Sequence, residues 1–537
     1  LERARAARPT FANDPADRDV VASICRRLEG LPLALELAAS RARSKSPRTL
    51  LEELGQRLPV LATTRSPVDL AERQRSVRGA LDWSYDLLDE AEGQLFGRLA
   101  VFAGGATPDA IAAVCGATQG IDPSSVLESL ADKSLLQVLD TGGVTRFGML
   151  ETIREYAHER LIALEGEAAE DRLRRAHAVY FATLAEQVRE ALRGPRQVAW
   201  LERLEADHAN IRAALDFSLL MRDADLAGAL TAGVWHFWRA RGYFHEGRRW
   251  LSATLGLGSA VPAALRAAVL NGAGVLALLQ NDYPLATSLL TEARDLYTSL
   301  GDSAGVAFAL SNLGWAAHDA SDYDHAQALL ERSLEMRREL GDAWGEAWSL
   351  NNLGVLALER ERLAEARHLF EASITVFRRL EDAIALSQAL SNLGWALQEQ
   401  GEYARGTEVL AESLVLGQRL ADARGVANNL SNLGLMAVYS GDYQRAAELF
   451  ADSLNAFLAL GDRRGVAEAI EGLAGVAGLQ ARPLDAARLF GVADGLRESI
   501  GAPLLAADRS RYESLLGAAR EQLDDDAWHA AWAQRRA

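Results

Sequence analysis

The chain has 537 residues, with 57 Lys and Arg against 74 Asp and Glu and a formal net charge of −17. That length sets an expectation of about three to five domain-sized units. The acidic balance argues against broad binding to nucleic acid or anionic membranes, whose phosphates call for a basic surface. Two cysteines, Cys25 and Cys115, make neither a disulfide framework nor a zinc site, and no apolar run is long enough to span a bilayer. A reduced, cytoplasmic setting is therefore expected, with no membrane partner.

In chain order, "ICRRLEGLPLALELAASRAR" (24–43) reads as an amphipathic helix entered through Gly30, Leu31 and Pro32. Proline is tolerated at a first helical position because its missing N–H would be unpaired there anyway. Residues 72–103 read as two helices, and 107–115 and 122–136 as two more, with Thr107 and Asp122 as N-caps. Residues 135–150 alternate around a Gly-Gly turn, which predicts a β-hairpin, and "ETIREYAHERL" (151–161) returns to helix. Helices followed by a two-stranded wing predict a winged-helix domain over 66–165, after a helical segment over 1–65.

Residues 166–269 read as divergent helical repeats. Their aromatic cluster, Trp235, Phe237, Trp238, Tyr243 and Trp250, is expected to be core. A strict period of 40 then runs through 270–509. "SNLGW" at 311–315 returns at 391–395, with "NNLGV" at 351–355 and "SNLGL" at 431–435. Leu313, Leu353, Leu393 and Leu433 share one slot, and Gly314, Gly354, Gly394 and Gly434 the next. Glycine inside a helix costs about 1 kcal/mol against alanine, so its return at a fixed place predicts close helix–helix approach. Gly-Asp pairs such as 301–302 and 341–342 supply helix stop and start signals. Each block is thus helix, turn, helix, turn, and residues 510–537 read as capping helices.

This pattern resembles the tetratricopeptide repeat in a 40-residue form. The predicted fold class is mainly α: a winged-helix domain with a small β-hairpin, then an α-α superhelix of tetratricopeptide-type repeats with a concave groove. Asn312, Asn352, Asn392 and Asn432 recur where helix propensity gives no reason for asparagine. Their amides could pair with the backbone of a bound protein or peptide, with Trp315 and Trp395 beside them. They could equally bond to the neighbouring helix and fix the stacking.

The order of GLPL segment, winged helix and repeat array resembles the C-terminal part of the signal-transduction ATPases with numerous domains, in their bacterial LuxR and antibiotic-regulatory branch. "GLPLALELAASRAR", "LETIREYAHERL" and "HANIRAALDFSL" carry that resemblance. It implies that Gly30, Leu31 and Pro32 form a motif whose proline packs on the adenine of ADP or ATP. It also implies a Met-His-Asp motif at Met149, Leu150 and Glu151, where Leu150 replaces the phosphate-binding histidine.

A P-loop needs a lysine after glycine, and neither Lys45 nor Lys133 follows one. The chain is therefore expected to hold no cofactor of its own and to be no enzyme. Any nucleotide hydrolysis or DNA binding would belong to a parent protein with further domains. The start at Leu1 and the helix-like end point to such a parent. "GDSAG" (301–305) matches a nucleophile elbow in letters, but it falls in the repeat turn that reads "GDAWG" at 341–345. The expected function is the regulatory and sensor arm of a nucleotide-switched transcriptional or signalling ATPase. The alternative is a stand-alone tetratricopeptide scaffold without nucleotide dependence.

Overall fold

The computed structural model describes residues 15–27, 45–57, 78–79, 81–116, 123–141, 143–500 and 506–533, together with Ala4, Phe11, Leu35, Ala38, Ala39 and Ala42. Most of the helix expected over 24–43 lies outside these residues, Gly30, Leu31 and Pro32 included. Ile24 to Arg27 end the helix Pro15–Arg27. The chain forms two compact units, residues 1–186 with 202–230, and residues 187–201 with 231–537. The segment 166–269 is divided between them.

In the first unit, the helix Glu90–Arg98 starts at a reciprocal cap. Asp89 accepts from the Glu92 N–H at 2.8 Å, and Glu92 accepts from the Asp89 N–H at 3.0 Å. Thr107 caps the helix Pro108–Cys115 as expected, accepting from the Ala110 N–H at 3.3 Å. The helix Pro123–Asp132 follows, then two antiparallel strands, Gln137–Thr141 and Val144–Gly148. Their register pairs Val138 with Phe147 and closes on Thr141 and Val144. The helix Glu151–Glu165 returns Tyr156 to the core, where Tyr85, Phe96 and Tyr156 pack with ring centroids 5.8 to 6.3 Å apart. The wing is anchored from behind by buried Arg146, which donates to Asp207 Oδ1 at 2.7 Å and to the Gly105 carbonyl at 2.8 Å.

In the second unit the repeat register is met to the residue. First helices begin at Ala263, Ser303, Ala343, Ala383, Ala423 and Arg463; second helices begin at Tyr283, Tyr323, Leu363, Tyr403, Tyr443 and Pro483. The turns explain this regularity. Gly301, Gly341 and Gly461 adopt left-handed φ values of 66° to 69°, which a side chain resists. The aspartate that follows caps the next first helix, as when Asp302 accepts from the Gly305 N–H at 2.8 Å and Asp342 from the Gly345 N–H at 2.9 Å. The "GDSAG" stretch is one of these turns. It follows a helix rather than a strand, and Ser303 opens the next helix.

The glycines inside the first helices mark close packing. A Cβ at Gly314 would stand 2.8 Å from Leu330 Cγ, and one at Gly394 would stand 2.6 Å from Leu410. Trp235, Phe237, Trp238 and Trp250 are all buried, in keeping with a core role, while Tyr243 is half-buried. Among the described residues no helix is long and apolar enough to cross a membrane.

Candidate functional site

Side chains of the first helices meet on an inner face of the second unit. A recess of about 560 Å³ opens there, within the size range of small-molecule and peptide sites. Its walls come from the helices Ala383–Glu399, Ala423–Tyr439 and Arg463–Leu479, with Arg239 and Tyr512 from outside them.

Part of its polar lining is spent on holding the helices together. Buried Asn429 accepts from Ser391 Oγ at 2.7 Å and donates to Ser413 Oγ at 2.9 Å. Ser413 in turn donates to the Ser387 carbonyl at 2.7 Å. Glu471 is paired with Arg497 at 2.6 and 3.0 Å. Burial pushes the nearby Tyr512 hydroxyl up to about 12, with Glu471 and Asp494 adding to the shift and Arg497 opposing it. The amides of Gln388, Asn428 and Asn432 line the same recess and have no hydrogen-bond partner among the described residues.

The recurring asparagines fall into two groups. Asn312 donates to Asn271 Oδ1 at 3.2 Å, Asn352 to Ser311 Oγ at 3.2 Å and Asn392 to Asn351 Oδ1 at 3.1 Å. Each bond reaches the neighbouring first helix, one residue short of the equivalent position, and so ties adjacent repeats together. At Asn432 the ladder ends, because Ser391, its expected partner, is turned to Asn429. Asn392, Asn432 and Trp395 line the recess, whereas Asn312, Asn352 and Trp315 are not part of its lining. Trp315 stacks on His318 with centroids 5.0 Å apart.

A second, smaller recess of about 170 Å³ lies behind the first and shares Arg239, Ile384, Gln388 and Asp422 with it. Its floor is a closed network that sequence reasoning missed. Buried Gln197 donates to Asp382 Oδ1 at 2.6 Å, and its own Oε1 accepts from the Ile384 N–H at 3.1 Å. Trp344 Nε1 donates to Asp382 Oδ2 at 2.7 Å. No local pattern announces Gln197, whose partner lies 185 residues away.

In the winged domain, Lys133, directly after the Pro123–Asp132 helix, is turned back to the Glu92 carboxylate, which also accepts from Ser129 Oγ at 2.6 Å. Burial would raise the Glu92 pKa, but the hydrogen bonds from Lys133, Ser129 and the Asp89 N–H outweigh it and hold the carboxyl below its ordinary value. The side chains left exposed on this helix include Glu128 and Asp132, an acidic pair poorly suited to reading bases. Leu150 sits at the start of the helix Glu151–Glu165 and carries no polar side-chain atom. The residues Met149, Leu150 and Glu151 thus carry no side-chain donor.

The fold and this inner face define the class: a winged helix-turn-helix domain followed by a tetratricopeptide repeat array. Family models agree, with the winged helix-turn-helix domain matching residues 88–162 and the tetratricopeptide repeat matching 265–339 and 345–414. The chain is similar to the "Putative HTH-type transcriptional regulator Rv0890c" of Mycobacterium tuberculosis, at 34% identity over 325 residues, covering 58% of this chain and 36% of that protein. An "Uncharacterized protein Rv0894" from the same organism is 36% identical over 172 residues, covering 31% of this chain and 43% of that protein. The chain thus matches less than half the length of each of these curated relatives. Among solved structures, a signal transduction ATPase with numerous domains from Pyrococcus horikoshii, described with a tetratricopeptide repeat sensor, aligns with a TM-score of 0.45 and 12% identity, over 90% of this chain and 74% of that one.

Proposed function

We propose that this chain is the sensor arm of a cytoplasmic transcriptional or signalling regulator, and that its repeat array binds a protein or peptide partner on the inner face. The observation that carries this reading is the 560 Å³ recess into which Gln388, Asn428 and Asn432 present amides with no partner among the described residues. A polar group left unpaired beside a recess keeps its bonding capacity for a ligand, and amides that both donate and accept match a peptide backbone. Binding there would favour one arrangement of the array and so shift a population. The finer reading, an arm of a nucleotide-switched ATPase, rests on segment order and on the family resemblance. In it, the P-loop and any DNA-reading domain lie outside these 537 residues. Asn312, Asn352 and Asn392 then act mainly in stacking, and recognition concentrates at Asn432 and its neighbours.

The test is affinity selection of a random peptide library on the whole chain, followed by calorimetry of the recovered peptides. Loss of one peptide hydrogen bond costs about 0.5–1.5 kcal/mol, so Asn432→Ala should weaken binding roughly two- to tenfold. Its melting temperature should not move, because the amide holds nothing in the free protein. Peptides that bind the variant as tightly as the parent chain would end this reading of the recess.

A further inference from the structure

The smaller recess holds a charge and a donor that the fold leaves unanswered. The Arg239 guanidinium stands between the two recesses and has no hydrogen-bond or ion-pair partner among the described residues. It lies over the face of Trp348, 5.7 Å from the ring centre. The Trp348 indole Nε1 is itself buried without an acceptor. Arg239 is half-buried on this recess, so its guanidinium stays open to an acceptor from outside.

The surroundings say what kind of acceptor. The carboxylates of Asp382 and Asp422 line the recess too, but both already serve the protein. Asp382 accepts from Gln197, Trp344 and the Ala385 N–H. Asp422 caps its helix by accepting from the Gly425 N–H at 2.9 Å. Arg193 lies over the Trp344 ring at 4.3 Å. Two aspartates thus face two arginines, and a doubly charged phosphate would meet more repulsion here than a single carboxylate. Burial lowers the Arg239 pKa from its ordinary value while Asp382 and Asp422 pull it back up. A guanidinium takes a carboxylate through two parallel N–H bonds. The volume, about 170 Å³, is close to that of an engineered cavity of about 150 Å³ that admits benzene, so it suits a group the size of a glutamate side chain.

We propose that this recess, with the Arg239 guanidinium as its donor and Trp348 in its wall, is a subsite for one carboxylate of the peptide partner seated in the larger recess. The two recesses adjoin, sharing Arg239, Ile384, Gln388 and Asp422 in their linings. The subsite rests on the inner-face reading above.

The test uses the full chain labelled with 5-fluorotryptophan, its Trp348 fluorine resonance assigned by Trp348→Phe. The probes, at constant ionic strength, are acetyl-tetraalanyl-glutamate as the free acid, acetyl-tetraalanyl-glutamine amide, and glutarate. The acid peptide should shift the Trp348 resonance saturably, and the amide at least tenfold more weakly. Arg239→Gln should weaken the acid peptide at least tenfold, while Arg239→Lys, which keeps the charge, should recover part of that loss. Equal binding of acid and amide, unchanged binding to Arg239→Gln, or no shift with any probe would each overturn the subsite. Saturation by glutarate alone would overturn it as a peptide site. Acid binding that survives Asn432→Ala unchanged supports the carboxylate subsite while removing the amide recognition proposed for the larger recess.

Discussion

Glycine 354 tests the packing argument directly. An ideal Cβ there would lie 2.6 Å from Phe370 Cε1, 2.8 Å from Cδ1 and 3.1 Å from Cζ. To restore an ordinary separation of 3.4 Å the ring must retreat by about 0.8 Å. Phe370 is fully buried in a cluster with Ile374, Phe377 and Leu390, so its retreat displaces others. Overpacking of this kind costs about 1–3 kcal/mol, while replacing a helical glycine by alanine returns about 1 kcal/mol of propensity. Gly517 offers the control, since it is also helical and a Cβ there meets nothing within 4 Å. The propensity gain is common to Gly354→Ala and Gly517→Ala, so the difference between them isolates the steric cost at about 1–3 kcal/mol. Urea unfolding followed by circular dichroism measures both. Phe370→Leu added to Gly354→Ala should recover part of the loss. If the two alanine variants agree within about 0.5 kcal/mol, close helix approach is not why glycine returns at this slot.

Two further outcomes are expected. His177 is buried between Phe102 and Phe181 and contacts Asn210 Oδ1 at 3.3 Å; burial takes its pKa down to about 4, the Asn210 bond partly opposing. The unfolded chain then binds more protons between about pH 6.5 and 4, so His177 should remove roughly 3 kcal/mol of stability as pH falls through that window, a loss that His177→Gln should lessen in melts at pH 4 and 7. Cys115 is buried, and burial pushes its thiol up to about 12. Iodoacetamide at pH 8 should modify only Cys25 in the native chain and both cysteines after denaturation, as mass spectrometry would show; labelling of native Cys115 would contradict that burial.

The elements that local chemistry dictates were legible in the sequence. The Gly-Asp turns, the recurring glycines and the Thr107 cap each act within a few residues or one helix pair, and a period of 40 makes the pairing explicit. The hairpin over 137–148 was legible for the same reason. The site was legible only in part. Asn432, Asn392 and Trp395 were marked by their register and do line the recess. Register could not say which way an amide turns, and Asn312, Asn352 and Asn392 turn to the preceding repeat. Arg239 and Trp348 carry no periodic mark, and their significance comes from partners they lack. That property exists only once the repeats have curled around them.

The bonds of Gln197 to Asp382 and of Arg241 to the Leu420 carbonyl join residues 185 and 179 positions apart. A stack of repeats held only by neighbours folds and frays one unit at a time. These two ties close part of this stack into a loop, so strain at one repeat is felt at another far along the chain. Such a loop pays the entropy of long-range closure on folding and should open as one cooperative body rather than from its ends. A ligand entering beside Asp382 would then press on the clasp itself, and four repeats would answer together.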